Sequence, residues 1–300
     1  MANNTKNIKI VLATNSAKHF HLDGGALNIG RFPDGEISVV LEENVNNKEV
    51  VVIGSTESPA DNLLELILLM DAVLQKGAKK ITVLIPYFGY ARSDNQDSQN
   101  KISNAKTIVK ILESVGDKKC SFIVLDPHSE NLKNYFTSPF IKMGTIHELA
   151  NRFTGNEDAT VVAPDYGSKE SAEQFAQEID SKNMMVVEKK RLRNSEVKLV
   201  SVSGNTTSKA IIVDDMVSSG NTILETAKML NTNGAQEIYV AVTHMIYTAG
   251  GWQKLAESPL IKRVIMTDTI APPEKLPSKF EIVSIAPILE KIINPSSQSI

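Results

Sequence analysis

With 42% apolar and 22% charged residues in 300, the chain has the make-up of a globular protein and room for two cores. Its net charge of −3 offers no general field for nucleic acid or an anionic membrane, and its one cysteine, Cys120, excludes an intrachain disulfide and a zinc site built from cysteines. No basic-then-apolar leader and no apolar run of membrane-spanning length is visible, so a cytoplasmic protein binding neither nucleic acid nor membrane is expected.

Short apolar runs alternate with helical patterns along the chain. Strands are expected at Lys9–Ala13, Val50–Ser55, Ile81–Pro86, Phe122–Asp126, Thr160–Asp165, Met184–Lys189, Lys209–Asp215, Ile238–Thr243, Arg263–Thr267 and Glu281–Ile285. Such alternation predicts an α/β fold with mainly parallel sheets covered on both faces. Two similar domains fit the length better than one large sheet. They are expected at 1–141 and 142–286, with 287–300 a candidate to return to the first. Several strands end in polar residues: Asp126, Asp165, Asp214 with Asp215, and Thr267. Open α/β sheets bind ligands at the carboxyl ends of their strands, so these residues are the first candidates for a site.

Gly30-Arg31-Phe32-Pro33-Asp34-Gly35-Glu36-Ile37 is a turn leading into the alternating strand Ile37–Leu41. Phe32 offers an apolar face there, and Asp34 and Glu36 offer acceptors, although Pro-Asp-Gly beside an aromatic is also plain hairpin chemistry. Ala60 to Gln75 is apolar nearly all round, as in a helix buried on more than one side. Ile81 to Asp94 runs from a strand through Pro86 and Gly89 to Arg92, whose planar fork suits phosphate oxygens. His128, in Asp126-Pro127-His128-Ser129-Glu130, sits at a strand tip between acids and is either a metal or phosphate ligand or a structural histidine. Asp165 ends another strand. Val186 to Arg193 is a strand entering a basic loop, which is either a solvated charge run or a source of cations for a transferring group. The stretch from Leu192 to Gly204 begins without apolar periodicity, as a closing lid would.

The most informative stretch is Ile211-Ile212-Val213-Asp214-Asp215-Met216-Val217-Ser218-Ser219-Gly220-Asn221-Thr222. A buried strand ends on two carboxylates, a loop of small residues follows, and Ile223, Ala227 and Leu230 then recur at helical spacing. Backbone N–H groups at a helix start hold phosphate, and small side chains let the backbone approach it. The two aspartates cannot bind phosphate, so they suit sugar hydroxyls or a metal. A phosphorylated sugar fits both halves. The ordinary alternative is a strand–loop–helix turn in which Ser218 merely caps the helix.

That stretch resembles the phosphoribosyl-diphosphate motif shared by type I phosphoribosyltransferases and ribose-phosphate pyrophosphokinases. Phe32–Glu36 and Pro86-Tyr87-Phe88-Gly89-Tyr90-Ala91-Arg92 resemble segments of the pyrophosphokinases alone, and the likeness covers roughly Ile8 to Ile293. The resemblance implies two phosphoribosyltransferase-like, Rossmann-like domains. The implied reaction is transfer of the diphosphoryl group of ATP to the 1-hydroxyl of ribose 5-phosphate, with Mg2+ as cofactor. It implies ATP binding by Phe32, Asp34, Glu36, Arg92, Asp94 and His128. Ribose 5-phosphate would be bound by Asp214, Asp215, Ser218, Ser219, Gly220, Asn221 and Thr222. Metal would be placed by His128 and Asp165, and the transition state stabilised by Lys189 and Arg191. A homo-oligomer built from dimers and extending to a hexamer is implied as well, with the Phe32 loop reaching a neighbouring subunit. Ser93, Asn95, Gln96, Ser168, Ser218 and Asn221 depart from the family pattern, and Tyr166 with Ser168 is expected to narrow the site. These departures leave a non-catalytic regulatory or scaffolding paralogue as the alternative, with a type I phosphoribosyltransferase ranked after it.

Overall fold

The computed structural model describes residues 9–22, 24–94, 102–191, 197–203 and 206–294. The chain divides into two compact units, 1–143 with 285–300, and 144–284.

In the first unit, strands β1 (Ile10–Ala13), β4 (Glu49–Ile53), β5 (Lys80–Ile85), β6 (Cys120–Leu125) and β7 (Phe140–Met143) form a wholly parallel sheet in that order. A separate antiparallel hairpin joins β2 (Leu27–Arg31) and β3 (Ile37–Leu41). The strands are apolar on both faces because both faces are covered. Val50, Val52, Ile81, Val83, Phe122 and Val124 face helices α1 (Asp61–Gln75) and α2 (Asn104–Gly116), which contribute Leu66, Leu69, Met70, Val73, Val109 and Leu112. Their alternate neighbours Val51, Ile53, Leu84, Ile123 and Leu125 pack on the other face. Cys120 is buried in the first of these layers, which pushes its thiol up to about 12 and leaves it an inert packing residue.

The second unit holds helices α3 (Ile146–Ala150), α4 (Lys169–Glu178), α5 (Asn221–Thr232) and α6 (Gly251–Glu257). Its strands are β8 (Thr160–Ala163), β9 (Asn183–Arg191), β10 (Val197–Ser203), β11 (Lys209–Val217), β12 (Glu237–Met245), β13 (Ile261–Thr267) and β14 (Phe280–Val283). They pair in the order β10-β9-β8-β11-β12-β13-β14, parallel except between β9 and β10. Again the strands alternate between two cores. Ile212, Val240, Val242 and Val264 meet α5 and α6, whereas Ile211, Val213, Ala241 and Ile265 meet α3 and α4. The last helix, α7 (Ala286–Ile293), returns to the first unit, where Ile288, Leu289 and Ile293 cover Val11, Phe20 and Val51.

Three expectations need correcting. Residues 197–203 form a strand against β9, with Val197 opposite Arg191 and Leu199 opposite Lys189, and are not part of a structureless lid. Val197, Leu199, Val200 and Val202 supply the β-branched and aliphatic content that the polar start of the segment obscured. Lys189 and Arg191 therefore lie on strand backbone and not in a loop. Finally, β11 does not stop at its acids. It continues to Val217 because β12 is long enough to pair Met216 with His244 and Val217 with Met245.

Helix α1 is not enclosed all round within the chain. Glu65, Leu66, Leu69, Met70 and Val73 are buried, while Leu64 is 45% exposed. Among the described residues no helix is long and apolar enough to cross a membrane.

Candidate active site

The carboxyl edge of the second sheet collects the polar residues of that unit. Asp214 lies in the middle strand β11, buried, and Asp215 beside it is half-buried. Asp165 follows the end of β8, which pairs with β11. Asp214 Oδ1 accepts from its neighbour's backbone, Asp215 N, at 3.0 Å and from Ser168 Oγ at 2.5 Å. Burial first, and then the charge of Asp215, push the Asp214 carboxyl well above the usual carboxylate range; the Ser168 hydrogen bond opposes this and Asp165 adds to it. Three carboxylates crowded on one edge make a place that favours a cation or hydroxyl donors.

After Val217 the chain turns through Ser218, Ser219 and Gly220 into α5. Gly220 takes the N-cap at φ +74° and, having no side chain, cannot itself cap the helix. The capping position is thus Gly220's and not Ser218's. The first turn of α5 carries no acidic residue, so no carboxylate in it opposes an anion at its N–H groups. Asn221 Oδ1 accepts from Lys254 Nζ at 2.9 Å, which ties the loop to α6. Thr222 belongs to the first turn, its carbonyl accepting from Thr226 Oγ1.

Gly251, at the start of α6, is a residue that the sequence reading missed. A Cβ on it would lie 2.0 Å from the Ser218 carbonyl oxygen and 2.8 Å from Gly220 N. The backbone of α6 thus presses directly on the loop and fixes its course. The signal was present as the pair Gly250-Gly251 between a strand end and a helix, although such pairs read as punctuation unless a partner backbone is known. His244 is buried, with Nδ1 2.9 Å from Thr269 Oγ1, in a network where Thr267 Oγ1 donates to the Thr243 carbonyl at 2.6 Å. Tyr166 does not fill the edge, being 70% exposed with the Lys169 ammonium 5.6 Å from its ring centroid.

In the first unit, the candidates fall on the hairpin and on the carboxyl edge of the sheet. Phe32 stands at the hairpin tip, 55% exposed, with Asp34 and Glu36 exposed beside it. The tip is braced: Arg31 Nη1 donates to Gly35 O at 2.9 Å, and Arg31 Nη2 meets Asp61 Oδ2 at 2.6 Å in the first turn of α1. Asp34 Oδ1 accepts from Glu36 N at 3.1 Å. Arg92 and His128 are both exposed. The backbone leading to Arg92 is held by Gly89 N donating to Thr56 Oγ1 at 2.7 Å. Asn95 and Gln96 lie outside the described residues, as do the side chains of Lys189 and Arg191.

Asp94 has a different setting from the other nucleotide candidates. It is buried, and its two carboxylate oxygens accept from Ser129 Oγ and from Tyr135 Oη. It thereby locks the segment bearing Arg92 to the turn bearing His128. In the Tyr135→Phe variant one oxygen of a buried carboxylate loses its donor, which costs about 1–3 kcal/mol. The expected result is a melting temperature lowered accordingly, read by thermal melting of the variant beside the wild type; an unchanged melting temperature would contradict it.

No group of three or more His, Cys, Asp or Glu among the described residues is placed to hold a metal ion. That excludes a closed cage among those residues but suits Mg2+, which keeps its waters and binds one or two carboxylates together with substrate phosphates. The negative edge formed by Asp214, Asp215 and Asp165 fits such a hard cation.

A model of the N-terminal domain of ribose phosphate pyrophosphokinase matches residues 5–116, and a model of the phosphoribosyl synthetase-associated domain matches residues 166–294. The chain is 33% identical to the ribose-phosphate pyrophosphokinase of Caldanaerobacter subterraneus subsp. tengcongensis over 98% of its own length and 96% of that protein. It is also 33% identical to the chloroplastic ribose-phosphate pyrophosphokinase 1 of Arabidopsis thaliana, over 94% of this chain and 71% of that one. The crystal structure of phosphoribosylpyrophosphate synthetase from Mycobacterium smegmatis superposes with a TM-score of 0.83 at 26% identity, covering 95% of this chain and 97% of that chain. The match of both family models and the near full-length likeness to relatives of one name place the chain in the ribose-phosphate pyrophosphokinase family of enzymes.

Proposed function

We propose that the protein transfers the diphosphoryl group of ATP to the 1-hydroxyl of ribose 5-phosphate, giving 5-phosphoribosyl 1-diphosphate and AMP. The observation that carries this reading is the edge from Asp214 to Thr222. Two carboxylates there precede a helix start whose N-cap is Gly220 and whose loop is pinned by Gly251. The loop Ser218, Ser219, Gly220, Asn221 and Thr222 would cradle the 5-phosphate, and Asp214 with Asp215 would accept from the ribose hydroxyls. In the first unit, Phe32 would stack on adenine, with Asp34 and Glu36 accepting from its amino group. Arg92 would meet the nucleotide phosphates, and Asp94 would act by holding the Arg92 and His128 segments together.

In the reaction the oxygen of the 1-hydroxyl bonds to the β-phosphorus. The bond from that phosphorus to the α,β-bridging oxygen breaks, AMP leaves with that oxygen, and the hydroxyl proton passes to solvent. Negative charge grows on the transferring group and on the leaving AMP, and Lys189 and Arg191 would supply the opposing charge. Mg2+, when bound, neutralises phosphate charge; His128 and Asp165 are the residues that would place it. No general base is assigned, since positioning of the two substrates can carry much of the barrier. A cytoplasmic homo-oligomer belongs to the same reading.

The departures at Ser93, Asn95, Gln96 and Ser168 motivate the second reading, a non-catalytic paralogue retained for regulation or scaffolding. An AMP-release assay with ATP, Mg2+ and ribose 5-phosphate separates them. Release that requires both substrates supports the transferase. Binding of either substrate without release supports the paralogue.

A further inference from the structure

Ser168 occupies the N-cap position of α4 but does not cap it. A serine at that position ordinarily accepts from the second or third N–H of its helix. Here its hydroxyl is directed across the sheet edge instead. Its Oγ lies 2.5 Å from Asp214 Oδ1 and 3.4 Å from Asp165 Oδ1, and its backbone N lies 3.3 Å from Asp165 Oδ1. A hydroxyl has one proton to give, and the shorter contact, to Asp214, takes it. Ser168 itself is 4% exposed, so water does not replace this donor. Asp214 Oδ1 is then held by two donors, Ser168 Oγ and Asp215 N, and the neighbouring Asp215 carboxyl is close enough to raise Asp214's proton affinity.

We infer that Ser168 is a positioning residue of this enzyme, fixing the Asp214 carboxylate so that its second oxygen is presented to the ribose hydroxyls. The residue touches no reacting atom. It acts through Asp214, and the strand order makes this possible because β8, which leads to Ser168, is hydrogen-bonded beside β11. The inference rests on the sugar-phosphate reading of the Asp214–Thr222 edge.

Two measurements keep the inference and that reading apart. In steady-state kinetics, Ser168→Ala raises KM for ribose 5-phosphate about tenfold, the worth of a hydrogen bond to a charged group. Turnover at saturation and KM for ATP stay within about twofold, and Ser168→Thr, which keeps the hydroxyl, recovers most of the loss. An unchanged KM for ribose 5-phosphate, or an equal rise for both substrates with no recovery by threonine, overturns the inference. The second measurement needs no activity. Thermal melting of Ser168→Ala, Asp214→Ala and the double variant reports whether the two side chains are coupled. Because the hydroxyl caps nothing, Ser168→Ala alone should fold. Non-additive melting shifts support the brace even if the wild type releases no AMP, in which case the functional reading falls and the brace stands. Additive shifts remove the brace whatever the activity.

Discussion

Gly251→Ala is expected to leave a folded protein that no longer handles ribose 5-phosphate. Its new methyl group would sit 2.0 Å from the Ser218 carbonyl oxygen and 2.8 Å from Gly220 N, both backbone atoms that no side-chain rotation can move aside. Either α6 or the Ser218–Gly220 loop must shift by an ångström or more. The loop is the softer of the two: it is short and bends at Gly220, whose φ of +74° suits glycine. A misplacement of about 1 Å at a site of this kind costs about 10²-fold. The expected readout is a rise of that order in KM for ribose 5-phosphate, with ATP binding retained in the first unit and a far-UV spectrum like the wild type's. A variant with the wild-type KM would show that the loop does not hold the 5-phosphate.

Lys189→Ala is expected to strike turnover instead. Lys189 sits on β9 opposite Leu199, two residues before Arg191, on the hairpin with β10. A cation that acts on charge developing in the transition state contributes little to substrate affinity and much to kcat. Loss of one such group costs about 10²–10³-fold. Turnover should fall by that order while ribose 5-phosphate binding, followed by calorimetry, changes by less than about threefold. Arg191→Ala should behave alike. Equal losses in turnover and affinity would make Lys189 a ground-state ligand and remove it from the transition-state role.

The two variants divide what the sequence could and could not show. The strand cores were legible because buried parallel strands are near-continuous apolar runs, as at Val50, Val51, Val52 and Ile53 and at Ile211, Ile212 and Val213. The acid pair and the small-residue loop were legible because their order along the chain is itself the site. What stayed hidden depends on contacts between distant segments. Gly251 matters through the backbone of Ser218, more than thirty positions earlier, and locally its pairing with Gly250 reads only as punctuation. Ser168 stood out as a departure from the family pattern, yet its hydroxyl acquires a role only through Asp214 on the neighbouring strand. The bonds of Asp94 to Ser129 and Tyr135 join segments more than thirty positions apart, which no local pattern around Asp94 shows. The β10 strand was obscured because its pairing with β9 depends on a partner, while its own start is polar. Strand ends moved for the same reason: the length of β12 decides where β11 stops.

Phosphorus NMR of ATP incubated with the protein, Mg2+ and ribose 5-phosphate tests the proposed chemistry at the reacting atom. The account predicts that the β and γ resonances move together into a diphosphate ester on the sugar's first carbon, as AMP accumulates in equal amount. Formation of ADP with a singly phosphorylated sugar carbon, or ATP left unchanged under conditions where both substrates bind, would contradict it.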